Sequence, residues 1–366
     1  MSSSWGNKLK LELFGESHGA AVDARLSGLP AGERVDLDEL RALMRRRAPG
    51  FSPLTSARRE ADEVCFLGGL TEGQTDGSEL LLEIRNTDAR PADYAALRDV
   101  PRPGHADYAA RLKYGAAVDL RGGGAFSGRM TAPLCAAGGV CLQLLRRRGV
   151  EIAAHLLSVG EVEDEPFDPL GPEPELLKRL KTEEWPTISA ESGAKMREAI
   201  EKTAAEGDSL GGVVEGVVTG LPAGLGGPLF EGLEGKLASL LFAIPAVKGV
   251  DFGAGFSAAR LRGSENNDPY AVRDGKVVIN SNRAGGILGG ISTGMPLLFR
   301  VAFKPTPSIA MAQKSVDLAA MTETELRVPG RHDPCVALRA LPVVEAAAAL
   351  ALLDRMLEEG RWTTEN

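Results

Sequence analysis

Apolar and polar residues alternate from Lys8 to Phe14 (Lys-Leu-Lys-Leu-Glu-Leu-Phe), which predicts a strand with one buried face. Leu80–Ile84, Val213–Thr219 and Pro296–Phe303 are short apolar runs of strand length. Asp36 to Arg47 has helical periodicity. It opens on Asp36 with Glu39 placed as in a capping box, and Pro49-Gly50 stops it. Arg129–Arg148 has the length and apolar density of a buried helix closed by Gly149. Glu191–Glu206 is amphipathic with Ser189 as its cap, and Leu229–Phe242 and Pro342–Glu359 predict two more helices. The acidic, Pro-rich stretch Glu161–Pro186 reads as a surface excursion.

The chain repeats itself. Residues Gly15–Gly32 align with Gly207–Gly224 at an offset of 192, and nine of the eighteen positions are identical. Gly68-Gly69, Gly73, Gly77 and Leu80-Leu81 then align with Gly285-Gly286, Gly290, Gly294 and Leu297-Leu298 at an offset of 217. A weaker third correspondence sets Arg102-Pro-Gly-His105 near Gly330-Arg-His332. These ordered blocks predict a duplicated β-α-β unit related by a pseudo-twofold axis. The halves, about 8–150 and 207–356, belong to one domain spanning residues 1–366. The copies differ at His18, which is Leu210 in the second, so chemistry is expected where the repetition fails.

Composition narrows the function. The 42 Lys+Arg against 50 Asp+Glu give a net charge of −8, which argues against bulk nucleic-acid or membrane-surface binding. Aromatics are only 5%, too few for base stacking to be the main activity. Glycine, at 44 of 366, points to many tight turns and close backbone approach to ligands. Cys65, Cys135, Cys141 and Cys335 form no Cys-x-x-Cys pair and are expected as free thiols in a reducing cytosol. The N-terminus lacks an apolar signal core, and Leu341–Leu353 is too short for a membrane span, so a cytoplasmic location is expected.

Of the four histidines, His18, His105 and His332 lie in Gly- or Pro-rich turns beside ionisable residues, the setting of catalytic groups. His155 lies in an apolar run and is expected to be packing. No metal-ligand spacing, nucleophile elbow, Walker phosphate loop or dinucleotide fingerprint occurs. A Ser17–His18 hydrolase is disfavoured because adjacent residues rarely face each other usefully. Arg146-Arg147-Arg148 reads as solvated surface, whereas Arg121, Arg129 and Arg331 adjoin glycine and suit a ligand with several anionic groups. Gly285–Gly290 allows close approach to a planar or phosphorylated ligand, and Lys304-Pro-Thr-Pro-Ser308 joins a cation to two hydroxyls as an anion grip.

These motifs together resemble the chorismate synthases: Gly15-Glu-Ser-His-Gly19, Arg102-Pro-Gly-His-Ala-Asp-Tyr108, Arg121-Gly-Gly-Gly124, Ala246-Val-Lys-Gly249, Gly285–Ser292, Lys304–Ser308 and Gly330-Arg-His-Asp-Pro-Cys335. The resemblance runs from about Trp5 to Leu353. It implies an α+β chain with a β-α-β sandwich, a cytoplasmic homotetramer. The reaction implied is the last step of the shikimate pathway, a 1,4-anti elimination of phosphate from 5-enolpyruvylshikimate-3-phosphate. That reaction requires reduced FMN without net redox change, and NADPH enters only through an external flavin reductase. By matching position, His18 is the histidine that protonates the reduced flavin or its surroundings, and His105 supplies a proton at the phosphate. Asp333 takes a proton from the flavin, with Ser17 and Ser127 as polar support. Arg47, Arg129 and Arg339 match anion-binding arginines, and Arg47 also matches a position tied to NADP. FMN contacts are implied at Ala125, Phe126, Ser127, Pro245, Ala246, Gly289, Lys304, Pro305, Thr306, Pro307, Ser308 and Arg331, and no metal is implied. Three positions depart from the family pattern: Ala125 and Pro53 in place of arginine, and Met130 in place of glutamate. Two other readings are a noncatalytic flavin- or anion-binding relative and a Ser-His phosphoesterase.

Overall fold

The computed structural model of the chain describes residues 3–50, 52, 54–55, 60–88, 99–115, 118–328 and 332–362. Two antiparallel five-stranded sheets enclose a layer of helices. In spatial order the first sheet is Ser3–Trp5, Lys10–Gly15, Ala21–Ser27, Leu80–Arg85 and Cys65–Gly68. The second is Val247–Phe252, Leu297–Phe303, Gly212–Thr219, Glu151–Val159 and Val162–Glu163. The helices are α1 (Leu37–Arg47), α2 (Asp107–Tyr114), α3 (Thr131–Arg147), α4 (Pro174–Thr182), α5 (Ala190–Ala205), α6 (Leu233–Leu241), α7 (Gly263–Asn266) and α8 (Ala337–Glu358). Helix α3 packs on the first sheet, α8 on the second, and the two pack on each other. The chain is thus α+β, a β-α-β sandwich.

Alternation builds the inner faces. Val22, Ala24 and Leu26 are buried, and opposite them Ile84, Leu82 and Leu80 are buried too. Helix α8 is covered on almost every side, so it reads as apolar throughout and not amphipathic. Its buried Glu345 is accounted for by a bidentate pair with Arg46 at 2.7 and 3.0 Å and a bond from the Ala154 amide.

The duplication is visible in the register. Val22 faces Ile84 and Leu26 faces Leu80. At the same offsets of 192 and 217, Val214 faces Val301 and Val218 faces Leu297. The Thr75 hydroxyl donates to the Pro30 carbonyl at 2.6 Å, and its counterpart Ser292 donates to the Pro222 carbonyl at 2.7 Å. Gly28 and Gly220 have φ of +90° and +74°, and a Cβ on either would strike the carbonyl of Lys8 or Gly149.

Five details differ from the expectations. Helix α8 starts at Ala337, ahead of Pro342, because the buried neighbours hold the helix through the proline's one lost hydrogen bond. Gly232 is extended, so Leu229–Glu231 forms a separate 3-10 turn before α6. The stretch 161–186 is not merely surface: Phe167, Leu177 and Leu180 form a second buried cluster with Ala153, Val217 and Leu298 on the outer face of the second sheet. His155 is not plain packing. It is fully buried between Asp164 (Nδ1, 3.2 Å) and Glu215 (Nε2, 3.1 Å). Nor are Arg146, Arg147 and Arg148 simply solvated, since they bond to Glu39, the Arg34 carbonyl and Glu33. No described helix is long and apolar enough to cross a membrane.

Candidate active site

A cavity of about 520 Å³ lies where the 102–107 turn, the 121–131 segment, the chain after α6, the 303–308 loop and the first turn of α8 converge. That is the size of a small-molecule site.

The three-glycine run makes the convergence possible. Gly122, Gly123 and Gly124 all have positive φ (+59°, +96° and +54°), a path open to glycine and strained for other residues. A Cβ on Gly122 would clash outright with the His18 ring edge at Cε1 and Nδ1, and one on Gly123 would lie 3.2 Å from His105 Nε2 and 3.4 Å from the Ser127 Cβ. Two histidines far apart in sequence therefore rest on consecutive glycines.

His105 lines the cavity with its ring fixed from behind. Its Nδ1 lies 2.6 Å from Asp107 Oδ1, while Arg102 donates to both Asp107 oxygens at 2.7 and 2.8 Å. Burial alone would raise the Asp107 carboxyl, but the hydrogen bonds from Arg102 and His105 outweigh it and hold it well below the usual carboxylate range. An ionised Asp107 fixes the proton on Nδ1 and leaves Nε2 toward Gly123.

Ser17 Oγ lies 3.1 Å from His18 Nδ1, so these adjacent side chains do face each other, contrary to expectation. The same hydroxyl donates to the Arg121 carbonyl at 3.1 Å, so it accepts from His18 Nδ1–H. In that arrangement the imidazole offers Ser17 no base, and the geometry gives no support to a Ser-His phosphoesterase. Ser17 and His18 stand behind the glycine run, not on the cavity wall.

The remaining expected residues divide. Ala125, Phe126, Ser127, Pro245, Ala246, Lys304, Thr306, Pro307, Ser308, Asp333, Arg47, Arg129 and Arg339 all line the cavity. Pro305 does not; it packs against Gly211. Gly289 does not either. Its neighbour Gly290 accepts from the Leu233 amide at the start of α6, whereas the cavity is lined by residues after the end of that helix. The Gly285–Gly290 run serves chain-to-chain approach, with Gly285 against Gly253 and Gly290 against Gly227. Arg121 pairs with Asp119 away from the cavity wall. Arg331 and Pro53 lie outside the described residues.

The cationic wall is largely balanced by its own carboxylates. Arg47 and Arg129 are both buried and both pair with Asp62, and Arg129 also lies 3.4 Å from Glu60. Arg339 donates to Asp333 at 2.7 Å and to the Arg47 carbonyl at 2.9 Å. Among the described residues Lys304 has no carboxylate partner and donates to the Gly104 carbonyl. Burial, then Lys248, lowers its pKa. The sequence assigns no role to Arg102, Asp107 or Asp62, and marks His332 only as a histidine in a catalytic setting. The signal for the first two was the Arg-Pro-Gly-His-Ala-Asp spacing, which places a carboxylate two residues beyond the histidine. No described cluster of His, Cys, Asp or Glu fits a metal.

The chorismate synthase family model matches residues 9–357. The chain belongs to the chorismate synthase family. Chorismate synthases similar to it include that of Lancefieldella parvula, 45% identical over 100% of this chain and 98% of the relative. That of Thermococcus gammatolerans is 47% identical over 98% of each. A chorismate synthase crystal structure superposes with a TM-score of 0.76 at 30% identity, covering 97% of this chain and 93% of the other. Membership makes the chain a carbon–oxygen lyase that forms chorismate by eliminating phosphate, the closing step of the shikimate pathway. The sandwich and its duplicated register are therefore the scaffold of that lyase.

Proposed function

We propose that this cavity carries out the 1,4-anti elimination with reduced FMN bound beside 5-enolpyruvylshikimate-3-phosphate. The observation that carries the reading is His105, locked to Asp107 and turned with Nε2 toward the glycine run inside a wall of arginines. The cavity also fits the flavin. Phe126, Pro245, Ala246 and Phe303 offer an apolar wall for a planar ring, and Lys304, Thr306 and Ser308 supply a cation and hydroxyls for a phosphate tail. Ser209 braces that loop through the Thr306 carbonyl at 2.7 Å, and Arg102 bonds Ser308 at 3.2 Å. When bound, reduced FMN supplies the electron chemistry of C–O cleavage with no net oxidation or reduction.

The chain's own residues do the rest. Arg47, Arg129 and Arg339 orient the anionic substrate, and their carboxylate partners keep the guanidinium groups in place. His105 gives its proton from the ring face opposite Asp107 to the departing phosphate, and Asp333 receives the proton lost on the other side of the balance. His18 holds its Nδ1 proton on Ser17, which orients the ring behind the glycine run. Ser127 caps the turn into α3 by accepting from the Arg129 amide at 3.2 Å.

The family reading further implies a cytoplasmic homotetramer supplied with reduced flavin by a separate NADPH-dependent reductase. Exposed Tyr270, Val272 and Val277 on one hairpin support burial against another copy. The test is anaerobic incubation of purified protein with substrate and chemically reduced FMN. Equimolar chorismate and phosphate are expected, with neither product when flavin is omitted. Flavin binding without turnover would contradict the proposal.

A further inference from the structure

His332 lines the same cavity, yet its Nε2 is buried and has no hydrogen-bond partner among the described residues. Buried polar atoms in folded chains are almost always paired, so an unpaired nitrogen in a ring that lines a cavity calls for an explanation. The third repeat block sets His332 opposite His105 in the duplicated frame, so both halves of the scaffold send a histidine into one cavity. The two are equipped differently. His105 has Asp107 behind it, whereas the carboxylate next to His332, Asp333, is engaged by Arg339. Burial, then nearby Arg102, keeps the His332 ring neutral. The lining arginines each have a carboxylate partner already, so an unengaged neutral donor adds recognition that they do not.

We propose that His332 is a substrate-binding residue, whose Nε2–H donates to an anionic oxygen, of the phosphate or of a carboxylate, on the bound substrate. This rests on the function proposed above. Its counterpart His105 moves a proton; His332 only binds and selects.

The experiment is calorimetric titration of the flavin-free protein with 5-enolpyruvylshikimate-3-phosphate, with its dephosphorylated analogue and, separately, with FMN. The variants are His332→Phe, which deletes the donor, His332→Gln, which retains an N–H, and His332→Ala in case Phe does not fit. Phe or Ala is expected to weaken substrate binding at least tenfold, Gln by less than threefold, with FMN binding unchanged. Thermal unfolding of the Phe variant should be no lower than that of the parent, because an orphaned buried nitrogen has been removed. If the tenfold loss persists with the dephosphorylated analogue, the partner oxygen is a carboxylate's; if it vanishes, it is the phosphate's. Wild-type substrate affinity in the Phe and Ala variants would overturn the proposal, as would a parallel loss of FMN binding. A folded wild-type chain that does not bind the substrate would instead overturn the function on which it rests.

Discussion

At the scale of single residues, the site is a set of side chains held in place by partners behind them. His105→Ala and Asp333→Ala are therefore expected to lower kcat by about 10²–10⁴-fold, the range of a lost general acid or base; stability should change little in the first and fall in the second, which unpairs Arg339. Steady-state rates and urea unfolding on the same preparations check this; near-normal rates in both variants would cancel the role assignments. Asp107→Asn should be costlier to the fold. It leaves the 5%-exposed Arg102 without its carboxylate, which is expected to cost about 3–5 kcal/mol in urea unfolding as well as the orientation of His105. Gly122→Ala should abolish turnover, because the new methyl, at a φ of +59°, would strike His18 Cε1 and force the ring aside. The histidines, Asp333 and the arginines were legible as motifs beside glycine. Their partners were harder to see, because Asp62 holds Arg47 and Arg129 from another segment and spacing carries no trace of that. Gly289 shows the reverse error: glycine marks close approach, but here it is the chain's own backbone that approaches.

At the scale of elements, alternation located the inner strands because one face of each sheet is buried against helices. It located α1 through its cap, where Asp36 accepts from the Asp38 and Glu39 amides at 2.9 and 3.1 Å. It could not place the start of α8, since a helix covered on all sides has no polar stripe to mark its phase. The α3–α8 crossing depends on Gly138, where an added Cβ would lie 2.6 Å from that of Ala346. Gly138→Ala is expected to push the helices apart and cost about 1–3 kcal/mol, measured as a fall in Tm. A neutral or stabilising change would mean that the central packing is looser than described.

At the scale of the whole molecule, the two sheets repeat one strand register, and the residues proposed for the chemistry stand on the segments that join them. The buried His155 cluster ties the 161–189 excursion to the second sheet: Asp164 accepts from the Ser189 amide at 2.9 Å, Glu215 from Phe167 at 2.7 Å and from Arg300 at 3.0 Å, with Asp251 near Arg300. Burial opposes charging of His155, yet its bonds to Asp164 and Glu215 prevail and raise its pKa above 6.5; both carboxyls are lowered. The histidine's contribution is thus complete below its unfolded value and is lost as pH rises through the raised one. The carboxylates' contribution is present above their unfolded values and is lost as pH falls through the depressed ones. Accordingly His155→Gln should destabilise most near pH 6 and distinctly less near pH 9; equal losses at both would contradict a charged His155. If the exposed hairpin buries itself against further copies as proposed, replacing Val272 and Val277 by Asp should lower the mass seen in light scattering without unfolding the subunit; an unchanged mass would contradict that contact.

The claim on which these rest is that one cavity, backed by His18 and faced by His105, takes both flavin and substrate. A crystal structure of the complex with FMN and 5-enolpyruvylshikimate-3-phosphate tests it most directly. The predicted result is both molecules in the cavity bounded by Ala125–Ser127, Pro245–Ala246 and Lys304–Ser308, with the substrate phosphate at His105 Nε2. Either molecule bound instead at the Gly285–Gly290 turns, with the His105 cavity empty, would contradict it.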